Sequence, residues 1–450
     1  MKILLEKIDI PEIDKYEVYR KNGGYASVEK ALKTMTPDEV VEEVKKSGVR
    51  GRGGAGFPMG LKWSFIDKKS GNPRHLVVNA DESEPGTFKD RYLMHHLPHL
   101  LIEGAIVSSY ALEANLSYIY IRGEYMWIFN ILEKAIKEAY ANGWLGKNIL
   151  GTGYDLDLYV HCGAGAYICG EETALLESLE GKRGNPRMKP PFPAVNGLWQ
   201  EPTVVNNVES ISTVSWIINN GGDEYAKVGI GKSTGTKLMS ASGHIKNPGV
   251  YEVDLGMTID EFFHSDEYCG GMMDDRPLKA CVPGGASVPI LPPNLLFKTA
   301  NGEDRLISYE SLADGGFITG SSLGSGGFII YNDTACIVRN TWNFARFFHH
   351  ESCGQCSPCR EGTGWMDKIL HRIETGQGRE EDIDLLWSIQ SQIEGNTICP
   401  LGDAAAWPVA AAIRHFREEF EYHIRFPEKI KDRNHFVNEP MEKVRHLMAP

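Results

Sequence analysis

The sequence is poor in cysteine and has no long hydrophobic run. Nine cysteines among 450 residues fall far below the roughly 8–10% of a disulfide scaffold. No apolar stretch approaches the ~18 residues that a membrane span requires, and charges within residues 1–7 interrupt the apolar core that a secretion signal needs. These absences argue against a disulfide-stapled secreted protein and against a membrane-spanning one. We expect a soluble chain from a reducing compartment.

The sequence also has no excess of basic over acidic residues. The chain has 47 basic and 60 acidic residues, which gives a formal net charge of -13. A net acidic surface repels phosphate backbones, so we expect no nucleic-acid partner. At roughly 100–200 residues per domain, a chain of 450 residues suggests about three domains, each large enough to bury a core.

The first of these domains is predicted to be α/β. Residues 1–35 are polar and irregular and are predicted to form an N-terminal arm. Thr36 and Glu39 match a capping box at the start of a helix. From there to residue 235, β-favouring runs alternate with helical patterns, which predicts a largely parallel sheet over residues 36–235. The predicted strands cover 76–78, 118–121 and 156–160, and the predicted helices cover 100–112 and 126–140.

Two further regions with different sequence patterns follow along the chain. Short strand-like pieces with many turns predict a small α+β module over residues 236–333. Apolar periodicity then predicts an all-α helical bundle over residues 334–427. The charged segment 428–450 is predicted to be an ill-ordered tail. The predicted bundle helices cover 336–350, 365–374, 382–393 and 404–422.

Four cysteines have the spacing of a metal site. Two residues separate Cys353 from Cys356 and Cys356 from Cys359, and Cys399 precedes a proline at the next helical segment. Such a triplet with a distant Cys-Pro resembles one half of a ferredoxin-type arrangement, which favours a single [4Fe–4S] cluster. A zinc site or a redox dithiol is the alternative. The remaining cysteines are expected to pack as small buried hydrophobes: Cys162, Cys169, Cys269, Cys281 and Cys336.

A glycine-rich loop covers residues 51–56 and matches the pattern G-x-G-x-x-G. The dinucleotide-binding form of this pattern follows a strand, whereas a predicted helix precedes this loop, so the usual Rossmann mechanism is not expected here. Backbone without side chains still lets a phosphate or a flat ring approach closely. Arg52 and Lys62 are candidates to meet anionic oxygens, and Phe57 and Phe65 to stack on a planar ring. A flexible surface loop is the alternative.

Two further segments follow predicted strands. Residues 161–170 lead from a strand into a helix that Glu171 and Glu172 open, and a strand, a glycine loop and a helix N-terminus together make an anion site. The helix dipole explains the two glutamates. Hydrogen bonds to ribose hydroxyls explain them equally and would favour NAD over NADP. Residues 79–87 place polar side chains at a strand's carboxyl end, where open α/β sheets bind ligands, although an acidic turn is the alternative.

Together these segments resemble the NADH-binding flavoprotein component of respiratory complex I, the 51 kDa-type subunit of NADH-quinone oxidoreductase. The same module serves NAD-linked hydrogenases and formate dehydrogenases. The resemblance implies a Rossmann-like domain for FMN and NADH, a β-grasp-like module and a C-terminal helical bundle with a [4Fe–4S] cluster. The matching segments, in the family's order between about residue 15 and residue 425, are 51–62, 79–89, 163–173, 181–184, 202–209 and the four cysteines.

The resemblance also implies roles for individual residues. No catalytic side chain is expected, because hydride passes from cofactor to cofactor. Phe57, Phe65 and Phe192 would surround the adenine of NADH. The implied FMN-binding residues are Gly51, Arg52, Gly53, Lys62, Asn79, Asp81, Gly170, Glu171, Asn206 and Asn207. The implied NADH-binding residues are Gly54, Gly56, Phe57, Phe65, Glu84, Glu172, Lys189 and Phe192. The implied cluster ligands are Cys353, Cys356, Cys359 and Cys399.

The function implied is electron input from NADH through FMN and the cluster to quinone. The implied partners are a thioredoxin-like [2Fe–2S] subunit and a larger iron–sulfur subunit. The implied location is cytoplasmic, peripheral on the inner membrane within a complex and without direct membrane insertion. The alternatives are the diaphorase component of a soluble NAD-linked hydrogenase or formate dehydrogenase, and a non-catalytic iron–sulfur or zinc scaffold without flavin.

Overall fold

The computed structural model describes residues 1–432 and 434–448. The chain divides into two compact units, each built from several segments. The first unit contains Met1–Ser83, Phe88–Met239 and Val250–Gly256. The second contains Glu84–Thr87, Ser240–Gly249 and Met257–Pro450.

Helices are the commonest element in both units. Within the first unit they are α1 (Tyr16–Lys21), α2 (Ala26–Thr34), α3 (Pro37–Lys46), α4 (Met59–Ser64), α5 (Lys89–His96), α6 (Pro98–Ala111), α7 (Met126–Ala141), α8 (Glu172–Leu179), α9 (Val208–Asn220) and α10 (Gly222–Ala226). Within the second they are α11 (Ile259–His264), α12 (Pro293–Phe297), α13 (Tyr309–Ala313), α14 (Gly316–Thr319), α15 (Ile337–Glu351), α16 (Ser357–Glu374), α17 (Asp382–Ile393), α18 (Leu401–Arg425), α19 (His435–Asn438) and α20 (Met441–Val444). None of the helices in the described ranges combines the length and the apolar character needed to cross a bilayer.

The strands belong to a parallel sheet, a mixed sheet and a two-stranded ribbon. In chain order they are β1 (His75–Ala80), β2 (Leu116–Ile121), β3 (Asp157–Cys162), β4 (Thr203–Asn207), β5 (Gly229–Ile230), β6 (Ser233–Thr234), β7 (Thr236–Gly243), β8 (Gly249–Asp254), β9 (Leu278–Val282) and β10 (Gly327–Asn332).

The first unit is built around a parallel sheet with strand order β3-β2-β1-β4. All its pairings are parallel, and Leu76, Val77 and Val78 of β1 are fully buried, as expected for strands covered by helices on both faces. The predicted α/β class and its first three strands are confirmed. The sequence analysis did not predict β4, because only two adjacent valines mark it between polar residues.

The second unit contains a mixed sheet and a helical region. Residues 240–243 of β7 pair in parallel with β10, and β10 pairs antiparallel with β9. This mixed sheet agrees with the α+β pattern predicted for this region. The helices α15, α16, α17 and α18 pack against one another, so the predicted bundle helices are confirmed. α16 begins eight residues before its predicted start, because Pro358 favours a helix N-terminus although Gly362 and Gly364 weaken the helical pattern.

Local signals explain where several helices begin and how closely they pack. The capping box of Thr36 and Glu39 is present, and α3 starts immediately after it. In α6, a Cβ added at Gly104 would lie 2.1 Å from the carbonyl oxygen of Ile211 in α9. The missing side chain of Gly104 therefore permits the two helices to touch backbone to backbone.

The two ends of the chain are more ordered than predicted. Residues 1–35 contain α1 and α2, and Ile3, Leu4 and Leu5 are buried. In the predicted tail, Phe436 and Met441 are buried on short helices, while residues 433 and 449–450 lie outside the described ranges. The sequence patterns there are short and irregular, so only tertiary contacts reveal which apolar residues are covered.

Glu252 explains how the N-terminal residues are held. This buried carboxylate on β8 accepts hydrogen bonds from the backbone N–H groups of Ile3 at 2.9 Å, Leu4 at 2.9 Å and Leu5 at 2.8 Å. It also accepts one from the hydroxyl of Thr236 at 2.5 Å. Burial raises the pKa of Glu252, and these donors oppose the rise.

We predict that Glu252→Ala detaches the N-terminal segment. The buried N–H groups of residues 3–5 lose their acceptor, so the free energy of unfolding falls by about 2–3 kcal/mol. Amide exchange with deuterium, followed by mass spectrometry, should accelerate in these residues by about tenfold or more. The control is Asp254→Ala, which removes an exposed carboxylate paired with the terminal ammonium. Equal exchange rates in both variants would contradict this role.

Candidate functional site

The carboxyl ends of β1 and β4 carry a group of asparagines. The register places Asn79 of β1 beside Asn207 of β4, and Val78 beside Asn206. From β1 the strand order runs outward through β2 to β3 and then returns to the other side of β1 with β4. The boundary between β1 and β4 is therefore the topological switch point, where open α/β sheets bind ligands.

Asn79 joins the loop after β1 to the turn after β3. Its Nδ2 donates a hydrogen bond to the carbonyl of Gly170 at 2.8 Å, and its Oδ1 accepts one from the N–H of Asp81 at 3.1 Å. A Cβ added at Gly170 would lie 3.6 Å from the backbone oxygen of Asp81. The structure thus brings together three residues that the sequence analysis predicted separately.

Asn206 and Asn207 are fixed by protein partners. The side-chain oxygen of Asn206 accepts a hydrogen bond from the indole N–H of Trp63 at 2.9 Å. Asn207 is the N-cap of α9, where its side-chain oxygen accepts from the N–H of Glu209 at 3.0 Å. Its Nδ2 donates to Asp90 at 2.6 Å. Both asparagines therefore present a rigid wall at the switch point.

The glycine-rich loop lies against this wall. A Cβ added at Gly53 would lie 3.1 Å from the Cβ of Asn207, so a larger residue would push the loop away from β4. Gly54 and Gly56 have φ angles of 134° and 63°, a region that side chains rarely adopt. The helices α3 and α4 flank the loop, which confirms that it is not the strand-to-helix fingerprint of a Rossmann motif.

Arg52 is held in the interior. The residue is 1% exposed, and its guanidinium donates to the hydroxyl of Tyr225 at 3.2 Å and to the carbonyl of Thr234 at 2.7 Å. Its backbone N–H donates to the hydroxyl of Ser210 at 2.8 Å. The sequence analysis expected this side chain to meet anionic oxygens of a ligand. The structure directs it instead to groups that anchor the loop.

A charged cluster lies at the start of α8. Glu172 pairs with Lys62 at 2.7 Å and with Lys189 at 2.6 Å. Lys189 also reaches Glu171 at 3.2 Å, and Glu171 caps α8 by accepting from the N–H of Ala174 at 3.0 Å. Burial alone would raise the pKa of Glu172, but the two lysines outweigh it and lower the pKa to about 2. The cluster therefore stays ionised at neutral pH and is lost only as pH falls towards about 2.

Three phenylalanines of this unit are unusually exposed. Phe57, Phe65 and Phe192 are 46%, 53% and 58% exposed. The rings of Phe57 and Phe65 lie 6.3 Å apart between centroids. The segment after Phe192 is tied to the end of α4, because the N–H of Asp67 donates to the carbonyl of Ala194 at 3.1 Å. Exposed flat rings of this kind suit stacking on a planar ligand.

Glu84 belongs to the second compact unit. Its carboxylate accepts a hydrogen bond from the N–H of Ser287 at 2.7 Å. A Cβ added at Gly285 would lie 2.6 Å from Cγ of Glu84, so glycine is needed for this close approach.

A buried ionic network behind Asn207 was not predicted from the sequence. Lys89 pairs with Asp90 at 2.7 Å and with Glu209 at 2.8 Å, and Lys237 pairs with Glu209 at 2.7 Å. Burial lowers the pKa of Lys237 to about 7, while Lys237 and Lys89 outweigh burial and lower the pKa of Glu209. The available signal was Glu209 at the start of the largely apolar helix 208–220 and Lys237 beside the apolar pair Leu238 and Met239.

The four spaced cysteines sit at helix ends in the second unit. Cys353 lies between α15 and α16, Cys356 is the N-cap of α16, and Cys399 precedes α18. Cys359 lies in the first turn of α16, where Ser352 hydrogen-bonds its sulfur at 3.1 Å. Burial raises the pKa of Cys359 to about 11, with further upward contributions from Cys356 and Cys353.

The chemistry of these four donors fits an iron–sulfur cluster. All four are cysteines, three of them at two-residue intervals and the fourth before a proline. Four cysteine thiolates are the donor set that holds a [4Fe–4S] cluster.

The remaining cysteines divide into two kinds. Cys169, Cys269 and Cys281 are buried, as the packing interpretation expects, and Cys162 is half-buried. Cys336 differs, because its sulfur lies 3.3 Å from Nε2 of His423. The interpretation of Cys336 as a packing residue is therefore incomplete.

Two protein-family models match separate parts of the chain. The family model of the Nuo51 FMN-binding domain matches residues 44–216. The model of the NADH-ubiquinone oxidoreductase-F iron-sulfur binding region matches residues 339–423, a range that includes all four spaced cysteines.

Relatives and a solved structure agree with these matches. The second F-type subunit of the NADH-quinone oxidoreductase of Rhizobium meliloti (strain 1021) is 48% identical over 423 residues, covering 94% of this chain and 97% of that protein. The F-type subunit of the same enzyme in Mycobacterium tuberculosis (strain ATCC 25618 / H37Rv) is 50% identical over 413 residues, covering 91% and 89%. The crystal structure of an NAD+-reducing [NiFe]-hydrogenase in the H2-reduced state has a TM-score of 0.81 at 33% identity, covering 94% of this chain and 67% of that one.

The polar switch point of the parallel sheet lies within the FMN-binding match, and the cysteines lie within the iron–sulfur match. Together with about 50% identity over more than nine-tenths of the chain, these observations show that the chain belongs to the family of F-type, 51 kDa subunits of NADH-quinone oxidoreductase, with its FMN-binding domain and its [4Fe–4S] binding region.

Proposed function

We propose that the chain is the electron-input subunit of an NADH:quinone oxidoreductase. Bound FMN would supply hydride acceptance from NADH, and a [4Fe–4S] cluster held by the cysteines would supply one-electron transfer towards partner iron–sulfur subunits. The observation that carries this proposal is the convergence, at the carboxyl ends of β1 and β4, of the glycine loop, the polar loop after β1 and the turn after β3.

The residues around the switch point would hold FMN. Backbone of the loop 51–56 offers N–H groups without interfering side chains, which suits a phosphate or an isoalloxazine edge. Asn79 and Asp81 sit at the end of β1, and Asn206 and Asn207 at the end of β4. Because each asparagine is already held by a protein partner, this wall is rigid before FMN binds. Arg52 contributes by anchoring the loop rather than by touching FMN.

The charged cluster and the phenylalanines would hold NADH. The exposed rings of Phe57, Phe65 and Phe192 would stack on the adenine. Glu172 would accept hydrogen bonds from ribose hydroxyls, while Lys62 and Lys189, already within 2.7 Å of that carboxylate, would lie close to the phosphates. The backbone at Gly54 and Gly56 and the carboxylate of Glu84 complete the proposed NADH residues.

No side chain is proposed as a general acid or base in hydride transfer. The task of this chain is to orient two planar groups and to exclude water, since the transfer takes place between the cofactors. Cys353, Cys356, Cys359 and Cys399 would ligate the cluster through thiolates, which requires loss of the thiol proton that burial favours in Cys359.

The domain organisation and the assembly are also proposals. Residues 36–235 would form the Rossmann-like domain, 236–333 the β-grasp-like module and 334–427 the cluster-bearing bundle. The partners would be a thioredoxin-like [2Fe–2S] subunit and a larger iron–sulfur subunit of a complex docked on the cytoplasmic face of the membrane. The curated relatives are subunits of NADH-quinone oxidoreductases, which supports this arrangement.

A second candidate function is diaphorase activity within a soluble NAD-linked hydrogenase. The likeness to an NAD+-reducing [NiFe]-hydrogenase favours it, with a TM-score of 0.81. The identity of 33% to that chain is lower than the 48–50% to the F-type relatives, which favours the quinone-linked assembly. Affinity purification of the chain from its own cells, followed by assays of NADH:quinone and NAD-dependent hydrogenase activity, decides between the two.

We predict that Cys353→Ser preserves flavin reduction by NADH but impairs onward electron transfer to quinone. Flavin bleaching by NADH in stopped flow should stay within about threefold of wild type, because the residues proposed for FMN and NADH are unchanged. The iron content should fall, and NADH:quinone turnover of the complex should drop by about tenfold or more, since a thiolate ligand is missing. Cys269→Ser, at a buried position without metal-like spacing, is the matched control. Loss of flavin bleaching in a folded, FMN-loaded Cys353→Ser protein would show that the roles are not separate.

We predict that Glu172→Gln weakens the preference for NADH over NADPH. The substitution removes the carboxylate shared by Lys62 and Lys189. Among the described residues, Lys62 then has no carboxylate partner and Lys189 keeps only Glu171, so more positive charge is available to a 2′-phosphate. The ratio of kcat/KM for NADH to that for NADPH should fall by about tenfold. Glu133→Gln, which removes a carboxylate paired with Lys137 on α7, should leave the ratio unchanged. An unchanged ratio in Glu172→Gln would place the ribose elsewhere.

A further inference from the structure

A second group of metal-ligating side chains lies in the second unit. One ligand atom from each of Cys336, His423 and His435 falls within 4.8 Å of the other two, and all three residues are buried. The residues come from three places in the chain: Cys336 is the N-cap of α15, His423 lies in the last turn of α18, and His435 begins α19. We refer to them as the Cys336 cluster.

His435 is oriented as a metal-binding histidine would be. Its Nδ1 faces the backbone carbonyl of Asp432 at 2.9 Å, a contact that assigns the ring proton to Nδ1. Its Nε2 is buried and has no hydrogen-bond partner. Histidines that bind metals characteristically donate one ring N–H to a carbonyl or carboxylate and direct the other nitrogen to the ion.

His423 repeats this arrangement with a carboxylate. Its Nε2 lies 3.3 Å from the sulfur of Cys336, while Nδ1, which makes no hydrogen bond, lies 3.5 Å from Oε2 of Glu374. Glu374 is in turn paired with Arg339 at 2.6 Å.

Arg339 and Lys279 are the cations that act on both imidazoles. Arg339 pairs with Glu374 at 2.6 Å and Lys279 with Glu419 at 2.7 Å, so each positive charge is matched by a carboxylate. Polar groups at nine-tenths burial are normally satisfied by hydrogen bonds, and Nε2 of His435 is not. A bound ion would satisfy this nitrogen.

We propose that Cys336, His423 and His435 bind a zinc ion that fastens the C-terminal segment to the helical region, with Glu374 as the outer carboxylate of His423. One sulfur and two imidazole nitrogens are ligands that zinc favours. Binding releases the thiol proton of Cys336 to solvent, and no electron is transferred. The site is separate from the cysteines of the iron–sulfur region, because Cys336 and Cys353 flank opposite ends of α15, about 20 Å apart at 1.5 Å per residue.

The proposed role follows from the chain positions of the ligands. His435 follows α18 in a segment of short helices whose buried apolar residues include Ile430 and Phe436. A metal bridge to the start of α15 closes a loop of about a hundred residues, and such long closures restrict the unfolded chain most. The zinc is therefore structural, and the electron path does not require it.

The test measures zinc in the full-length, FMN-loaded and cluster-loaded protein. One equivalent of zinc chloride is added, free metal is removed by desalting, and zinc and iron are quantified by mass spectrometry. We expect about one zinc per chain in wild type, and about tenfold less in Cys336→Ala and in His435→Ala, with iron and flavin unchanged. Cys281→Ala, at a buried cysteine outside the cluster, should keep its zinc. Cys399→Ala should lose iron and keep zinc, which separates this inference from the proposed function.

A second measurement does not depend on any variant folding well. Removing zinc from wild type with a chelator should speed tryptic cleavage after Lys429 or Lys431 by about tenfold, and added zinc should restore the slow rate. Wild type that retains no zinc, or variants that retain as much as wild type, would overturn the proposal. Cleavage that is indifferent to chelation would overturn the fastening role.

Discussion

The parallel pairing of β1 with β4 is the constraint on which the rest of the first unit depends. It brings Asn79 beside Asn207, although more than a hundred residues separate them in the chain. The glycine loop can approach only because Gly53 leaves room beside Asn207, and the turn after β3 is drawn in by the hydrogen bond from Asn79 to Gly170. Moving β4 by one residue would turn Asn207 to the opposite face of the sheet, away from Gly53 and Asp90.

Charged residues near the β1–β4 pairing form one buried network and one surface cluster. Beneath the pairing, Lys89, Asp90, Glu209 and Lys237 form a buried network with two positive and two negative groups. Burying isolated charges would be strongly unfavourable, and mutual pairing offsets this. At the surface, Glu172 is shared by Lys62 and Lys189. In the proposed NADH site, these local lysines would let a protein with a net charge of -13 bind an anionic cofactor.

The cysteines that are candidate metal ligands in the second unit lie at or near the starts of helices. Cys356 and Cys336 are both N-caps, of α16 and α15, and Cys399 stands just before α18. The two groups differ in their donors. The spaced cysteines offer four sulfurs, whereas the Cys336 cluster offers one sulfur and two imidazoles whose ligand atoms lie within 4.8 Å of one another.

Local sequence determined those features that local interactions create. The capping box at Thr36 and Glu39, the apolar runs of the first three strands and the boundaries of α17 were all predictable, because each depends on residues close together in the chain. The spaced cysteines were predictable for the same reason, since three of them lie within seven residues.

Tertiary structure alone decided the features that depend on distant residues. Residues 1–35 and the segment after Pro427 have weak local patterns, and their order comes from contacts such as Glu252 with Leu4 and from the burial of Phe436. The interior placement of Arg52, the sharing of Glu172 by two lysines and the meeting of Cys336 with His423 and His435 join residues far apart in sequence. Side-chain burial and pairing of this kind arise only when the chain has folded, because the partners have no fixed distance before that.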